Sequence, residues 1–176
     1  MFVKNPARVL GIDPGLSRCG YACLEVGDHR KVVAIALGVI TTLPTTPLPY
    51  RLSELRAELS ALLDEFCPGA VAVEQVFFQT NVRTAMSVGQ ASGLALAEAA
   101  SRGCEVVQYT PNQVKETVAG WGSADKAQVA RMVQVRLGLA APPKPADAAD
   151  AAAIALTHLA FAPVKRRVSE ALAVRR

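Results

Sequence analysis

Four carboxylates in this chain stand where a carboxylate is costly to place. Asp13 closes the apolar run VLGID ahead of a Pro-Gly turn, and Glu74 interrupts the apolar stretch AVAVEQV. Asp147 and Asp150 lie three residues apart in PKPADAADAAAIAL, among alanines and aliphatic residues. On a helix that spacing turns both side chains to one side, where like charges repel. Each residue has an ordinary reading. An aspartate before Pro-Gly can accept hydrogen bonds from turn amides. An aspartate in a first helical turn caps free N–H groups and suits the helix dipole. One is enough for that, and the second is surplus. Glu74 needs a cation, either a Lys or Arg partner or a metal, because an unpaired glutamate is rarely tolerated inside a strand.

Brought to one place, the four would carry four negative charges, and only cations would hold them together. Two Mg²⁺ ions match that charge, prefer oxygen ligands, and keep positions for water and a substrate phosphate; Mn²⁺ is expected to substitute. Such a pair, about 3.5–4 Å apart, activates a water and stabilises the leaving oxygen in in-line phosphodiester cleavage. The fold must therefore unite residues 13, 74, 147 and 150.

The elements that would do so can be read along the chain. Ala7–Asp13, Cys19–Val26 and Lys31–Thr41 read as strands joined by connections too short for anything but antiparallel neighbours. The proline-broken segment TLPTTPLPY ends the meander, and Arg51–Phe66 repeats leucines at helical spacing. Ala70–Val76 reads as a fourth strand buried on both faces, Asn81–Arg102 as a long helix and Glu105–Tyr109 as a fifth strand. Helices follow at Pro111–Val118, Ala124–Leu137 and Ala146–Phe161. Strand–helix–strand crossovers demand parallel pairing. The expectation is an α/β fold, a mixed five-stranded sheet made of an antiparallel meander plus two parallel strands, with helices on both faces. That is a ribonuclease-H-like architecture, and its first and fourth strands would set Asp13 and Glu74 side by side.

Composition narrows the class without naming a function. A chain of 176 residues, 51% hydrophobic and 19% charged, suits one ordered domain. We expect the domain over residues 1–163 and a flexible basic tail over 164–176. No apolar run is long enough for a membrane span, and MFVKNPARVLGIDPG lacks the marks of a signal peptide, so a cytoplasmic protein with no membrane association is expected. A net charge of +4 mildly favours a polyanionic partner. Cys19, Cys23, Cys67 and Cys104 show no C-x-x-C pairing and read as reduced, buried residues; His29 and His158 are too isolated to be metal ligands.

Five blocks then carry a resemblance: VLGIDPG, AVEQVFF, NVRTAMSVGQASG, TPNQVKETVAGWGSADKAQV and ADAADAAAIALTH. In this order and spacing, covering nearly the whole chain, they resemble the RuvC family of Holliday junction resolvases, bacterial members of the ribonuclease-H-like superfamily. The resemblance implies a homodimeric, Mg-dependent endodeoxyribonuclease that nicks two strands of like polarity in a four-way DNA junction, in recombination and repair. It carries over Asp13, Glu74, Asp147 and Asp150 as metal-binding catalytic residues, the same set reached from their positions. It implies that Phe77 stacks on unpaired bases at the crossover, and that Lys115 and Lys126 contact DNA backbone, with Arg83 adding to that basic rim. It also implies that the Asn81–Arg102 helix, with Met86, Val88, Gly89, Ser92 and Gly93, packs on its twin, and that a branch-migration motor of the RuvA and RuvB type is a partner. The alternatives are a related nuclease acting on RNA, or a junction-binding module without catalysis. A sugar-kinase or actin-like ATPase shares the strand–DPG–strand opening but needs a duplicated second half that 176 residues leave no room for.

Overall fold

Residues 4–75 and 82–173 are described by a computed structural model. Short turns after β1 (Asn5–Asp13) and β2 (Arg18–Val26) fold the first three strands back on one another, so both pair antiparallel up to β3 (Val32–Thr41). α1 (Leu48–Phe66) then carries the chain across to β4 (Pro68–Glu74), which lies parallel to β1. α2 (Val82–Ser101) makes the second crossover to β5 (Glu105–Tyr109), parallel to β4. The sheet order is β3-β2-β1-β4-β5, followed in the chain by α3 (Pro111–Ala119), α4 (Lys126–Leu137) and α5 (Ala146–Ala173). This is the mixed ribonuclease-H-like sheet that was expected.

Alternation along the strands divides the core in two. Leu10, Ile12, Val71 and Val73 face Leu55, Leu59 and Leu63 of α1 and Ala91, Ala95 and Ala99 of α2. Val9, Ala22, Ala70 and Ala72 face the opposite way, against α5, whose outer side is closed by Val114 and Val118 of α3 and Val129 and Val133 of α4. α5 is thus sandwiched between sheet and helices. Its sequence is apolar all round for that reason, with Ala148, Ala149, Ala151, Ala152, Ala153 and Ala155 all buried.

Small residues on the sheet bring α5 unusually near. A Cβ at Gly11 would lie 2.2 Å from the Ala151 carbonyl oxygen, and one at Gly20 would lie 2.1 Å from that of Asp147. Backbone rests on backbone at both points. The large Cβ-branched residues of β4, Val71 and Val73, are confined to the other face, where leucines of α1 fill the space.

Helix ends in the second half are built from side-chain caps. Thr110 accepts from the Gln113 amide while the Gln113 side chain accepts from the Thr110 amide, and Asp125 and Gln128 repeat the arrangement for α4. Lys126 is consequently the first residue of α4.

Several expected boundaries shift. β4 ends at Glu74 rather than at Val76, so Glu74 closes the strand instead of lying within it. The last helix does not stop at Phe161 but continues to Ala173, through most of the segment expected as a tail. Cys19, Cys23 and Cys104 are buried free thiols, whereas Cys67 is only half-buried, because it occupies the left-handed cap of α1 at φ 45°. His158 is buried, with Nδ1 3.2 Å from the Tyr109 hydroxyl, a packed residue of the α5 side. Among the described residues no helix is long and apolar enough to cross a membrane.

Candidate active site at the ends of β1 and β4

Asp13 and Glu74 are the last residues of neighbouring parallel strands. Ile12 pairs with Val73, so the next rung sets the two acids beside each other. Both share the face of Gly11 and Ala72, two residues earlier, and therefore turn toward α5. The close approach at Gly20 holds the first turn of α5 over β2, which brings Asp147 and Asp150 to the same end of the sheet.

Asp13, Glu74 and Asp150 line one cleft of about 270 Å³, together with Lys115 and Lys126. Its apolar wall is Val114, Val129 and Ile154. Lys126 Nζ lies 2.9 Å from Asp150 Oδ2. Asp147 turns to the β2 side instead, where Arg18 donates to Oδ2 through Nε at 2.9 Å and through Nη2 at 2.6 Å. Among the described residues neither Asp13 nor Glu74 has an ion-pair partner. The two central acids are bare, while the two on α5 each hold one cation.

The electrostatics follow from that division. Burial pushes the Asp13 carboxyl up to about 7, reinforced by repulsion from Glu74 and Asp150 and opposed by Lys126. Glu74 is raised by burial first and by Asp150 second, against Lys126 and Lys115. Asp147 moves the other way, held below the ordinary carboxylate range by the Arg18 guanidinium. The hydrogen bond to Asp150 raises Lys126. Desolvated, mutually repelling carboxylates are a signature of a functional site rather than of a structural ion-pair network.

With the side chains so placed, no three His, Cys, Asp or Glu among the described residues stand close enough together to enclose a metal. Asp147 turns out of the cleft to Arg18, and Asp150, within it, is engaged by Lys126. The donor set nevertheless suits a hard divalent cation. It offers carboxylate oxygens alone, and the two half-buried acids at its centre have, among the described residues, no ion-pair partner to supply the charge that such a cation brings.

Of the other residues singled out in the sequence, Lys115 and Lys126 are in the cleft. Phe77 lies outside the described residues, as does the side chain of Arg83, whose backbone falls in the first turn of α2. Arg18 was not singled out. Its position was legible in principle, because in β2 it alternates with Gly20 and Ala22 and so shares their face. Arg51 was missed as well: it donates to Ser17 Oγ at 2.6 Å and to Thr42 Oγ1 at 2.9 Å, bracing the turn that leads into Arg18.

Comparison with known proteins places the whole chain in a family. A family model described as crossover junction endodeoxyribonuclease RuvC matches residues 9–158. A crossover junction endodeoxyribonuclease RuvC of Streptomyces griseus is 50% identical over 169 residues, spanning 96% of this chain and 83% of that protein. One of Leifsonia xyli is 51% identical over 151 residues, 86% of this chain and 73% of that protein. Among solved structures, Thermus thermophilus RuvC in complex with Holliday junction substrate superposes with a TM-score of 0.85 at 40% identity, covering 90% of this chain and 96% of that one. The yeast mitochondrial Holliday junction resolvase Ydc2, 16% identical with a TM-score of 0.66 over 89% of this chain and 80% of that one, shares the fold alone.

Proposed function

Because the chain belongs to the RuvC family of crossover junction endodeoxyribonucleases, we propose that it resolves four-way DNA junctions at the cleft between β1, β4 and α5. The activity is hydrolysis of phosphodiester bonds in two strands of like polarity. The single observation that carries the site assignment is the pair of half-buried acids, Asp13 and Glu74, with no ion-pair partner among the described residues, facing two lysines in one cleft.

Asp13, Glu74, Asp147 and Asp150 are the residues that would hold the divalent metal, which we take to be two Mg²⁺ ions per site with Mn²⁺ as a substitute. Bound there, the metal supplies Lewis-acid polarisation of the scissile phosphate and of the attacking water. The chain's own residues do the rest. Lys115 and Lys126 give the cleft a positive wall that draws in a phosphate and fixes its position without reading sequence. Lys126 also holds Asp150 by its side chain, at 2.9 Å. Val114, Val129 and Ile154 keep one side of the cleft apolar, which strengthens every charge interaction within it. Phe77 and Arg83 are proposed as further DNA contacts on the segment that follows Glu74.

The wider assignments belong to the same reading. We take residues 1–163 as the nuclease domain and 164–176 as a basic extension, which to Ala173 continues α5. The protein works in the cytoplasm, as a homodimer joined through α2, in company with a RuvA- and RuvB-type branch-migration motor. Support for the dimer comes from the outward side of α2, where Met86 is 60% exposed and a Cβ at Gly89 or Gly93 would meet nothing within 4 Å. Ser92, by contrast, is buried and belongs to intramolecular packing. A two-fold dimer fits a nearly two-fold junction, each subunit cutting one of a symmetric strand pair.

The test is a comparison of substrates. Purified protein is incubated with a synthetic four-way DNA junction, linear duplex DNA of the same sequence and an RNA–DNA hybrid, with Mg²⁺, with Mn²⁺ and with EDTA. Paired nicks confined to the junction and to the metal-containing reactions are expected. Preferential cutting of the hybrid would replace this reading with that of a nuclease acting on RNA. Binding of the junction without cutting would leave only a binding module.

A further inference from the structure

The two aspartates of α5 are treated unlike the two on the strands: each carries its own cation, from opposite directions. Lys126 comes from α4 with its side chain 81% exposed, and Arg18 comes from β2 with its side chain 50% exposed. The Arg18 contact is the more committed of the two. Nε and Nη2 both donate to one oxygen, Oδ2, of Asp147. The arrangement is built rather than incidental. Gly20, two residues beyond Arg18 on the same face of β2, rests on the Asp147 main chain, and Arg51 braces Ser17 and Thr42 at the turn before Arg18.

An arginine on a carboxylate does two opposed things. It holds the Asp147 carboxylate in one orientation, turned toward β2, through two hydrogen bonds. It also occupies one of the two oxygens that a metal could take, with a positive charge of its own. Both effects end if the guanidinium moves off, and nothing in the structure ties it elsewhere: among the described residues its hydrogen bonds go to Asp147 alone. Exposed ion pairs are weak and exchange readily, whereas a divalent cation shared by several carboxylates is held far more firmly.

We propose that Arg18 is a positioning residue of the active site, a resident cation that holds Asp147 in the metal-free enzyme and competes with the divalent metal for it. The inference rests on the reading of Asp147 as a metal ligand. Metal binding then includes a displacement step, in which the guanidinium leaves Oδ2. Removing it makes the site bind metal more tightly, while Asp147 in the metal-free protein loses its one ion-pair partner among the described residues.

Calorimetric titration of the full chain with Mn²⁺, in the absence of DNA, separates the possibilities. The proteins compared are the parent, Arg18→Gln, Asp147→Asn and the double variant, with circular dichroism confirming that each is folded. The loss of one exposed ion pair as a competitor predicts that Arg18→Gln binds Mn²⁺ tighter by about fivefold. Asp147→Asn is expected to bind more weakly than the parent, and the double variant to behave as Asp147→Asn does, since Arg18 acts only through that carboxylate. Arg18→Lys keeps the charge but not the fork, and should fall between the parent and Arg18→Gln. Equal or weaker binding by Arg18→Gln, alongside weakened binding by Asp147→Asn, overturns the competition and leaves Asp147 a ligand. Unchanged binding by Asp147→Asn overturns the ligand assignment itself, and the competition with it.

Discussion

Gly20 of β2 lies directly beneath the main chain of Asp147, where a methyl group would come 2.1 Å from the carbonyl oxygen. Gly11 makes the equivalent contact with Ala151 one helical turn further on, at 2.2 Å. The first turn of α5, and with it both aspartates, is positioned by the absence of side chains on the sheet. Gly20→Ala must push α5 outward, and overpacking of this kind typically costs about 1–3 kcal/mol. Chemical denaturation should show a loss in that range. Junction cleavage should fall by more than the unfolded fraction accounts for, because the two aspartates on α5 move relative to Asp13.

Lys126 stands at the first position of α4, fixed there by the Asp125–Gln128 capping box, and reaches Asp150. Asp125→Ala removes the cap and should destabilise the protein by about 1 kcal/mol, read from the denaturation midpoint. Lys126→Ala acts differently. Loss of one phosphate-contacting charge should weaken junction binding nearly uniformly across sequences and lower the slope of log affinity against log salt by about one. Filter or fluorescence binding in Ca²⁺, over a salt series, measures that slope. An unchanged slope would place Lys126 off the DNA.

Asp13 has a folded-state value of about 7 against an ordinary 3.8, with burial as the main cause. Between those two values the folded protein binds more protons than the unfolded chain, so stability falls as pH rises. The metal-free protein should therefore be more stable at pH 5 than at pH 8, with Glu74, also raised, adding in the same direction. Asp147 is shifted downward, and its contribution is lost only at pH values below the ordinary carboxylate range. Denaturation in EDTA at a series of pH values tests this, and Asp13→Asn should flatten the dependence between about pH 5 and 7. The same variant should be no less stable than the parent at pH 8, since it removes a half-buried, partly desolvated charge with no ion-pair partner among the described residues.

Much of this site could be read in the sequence because its residues break a strong local pattern. A carboxylate ending VLGID, another after AVAV and a pair among alanines stand out against apolar neighbours whose periodicity fixes their faces. The topology followed from connection lengths. What escaped was set by contacts distant in sequence. Arg18 looks like an ordinary turn arginine until α5, 129 residues away, is laid over β2. The sandwiching of α5 between sheet and helices explains its all-round alanine content, yet alanine alone does not say what lies on either side. The end of β4 at Glu74 was overrun because the apolar pattern of AVAVEQVFF continues past it. The expected end of α5 at Phe161 falls short because the basic composition of the segment after it reads as a tail, whereas the helix runs on to Ala173.

The proposed function requires Asp13 as a metal-holding group that the basic residues of the cleft do not replace. The direct measurement is the single-turnover rate of nicking of a synthetic four-way junction in saturating Mg²⁺, parent against Asp13→Asn, with junction affinity measured in Ca²⁺ alongside. The expected result is a rate lowered by at least about a thousandfold, some 4 kcal/mol of transition-state stabilisation, with affinity within a few-fold of the parent. An Asp13→Asn protein that cuts the junction at close to the parental rate would contradict it.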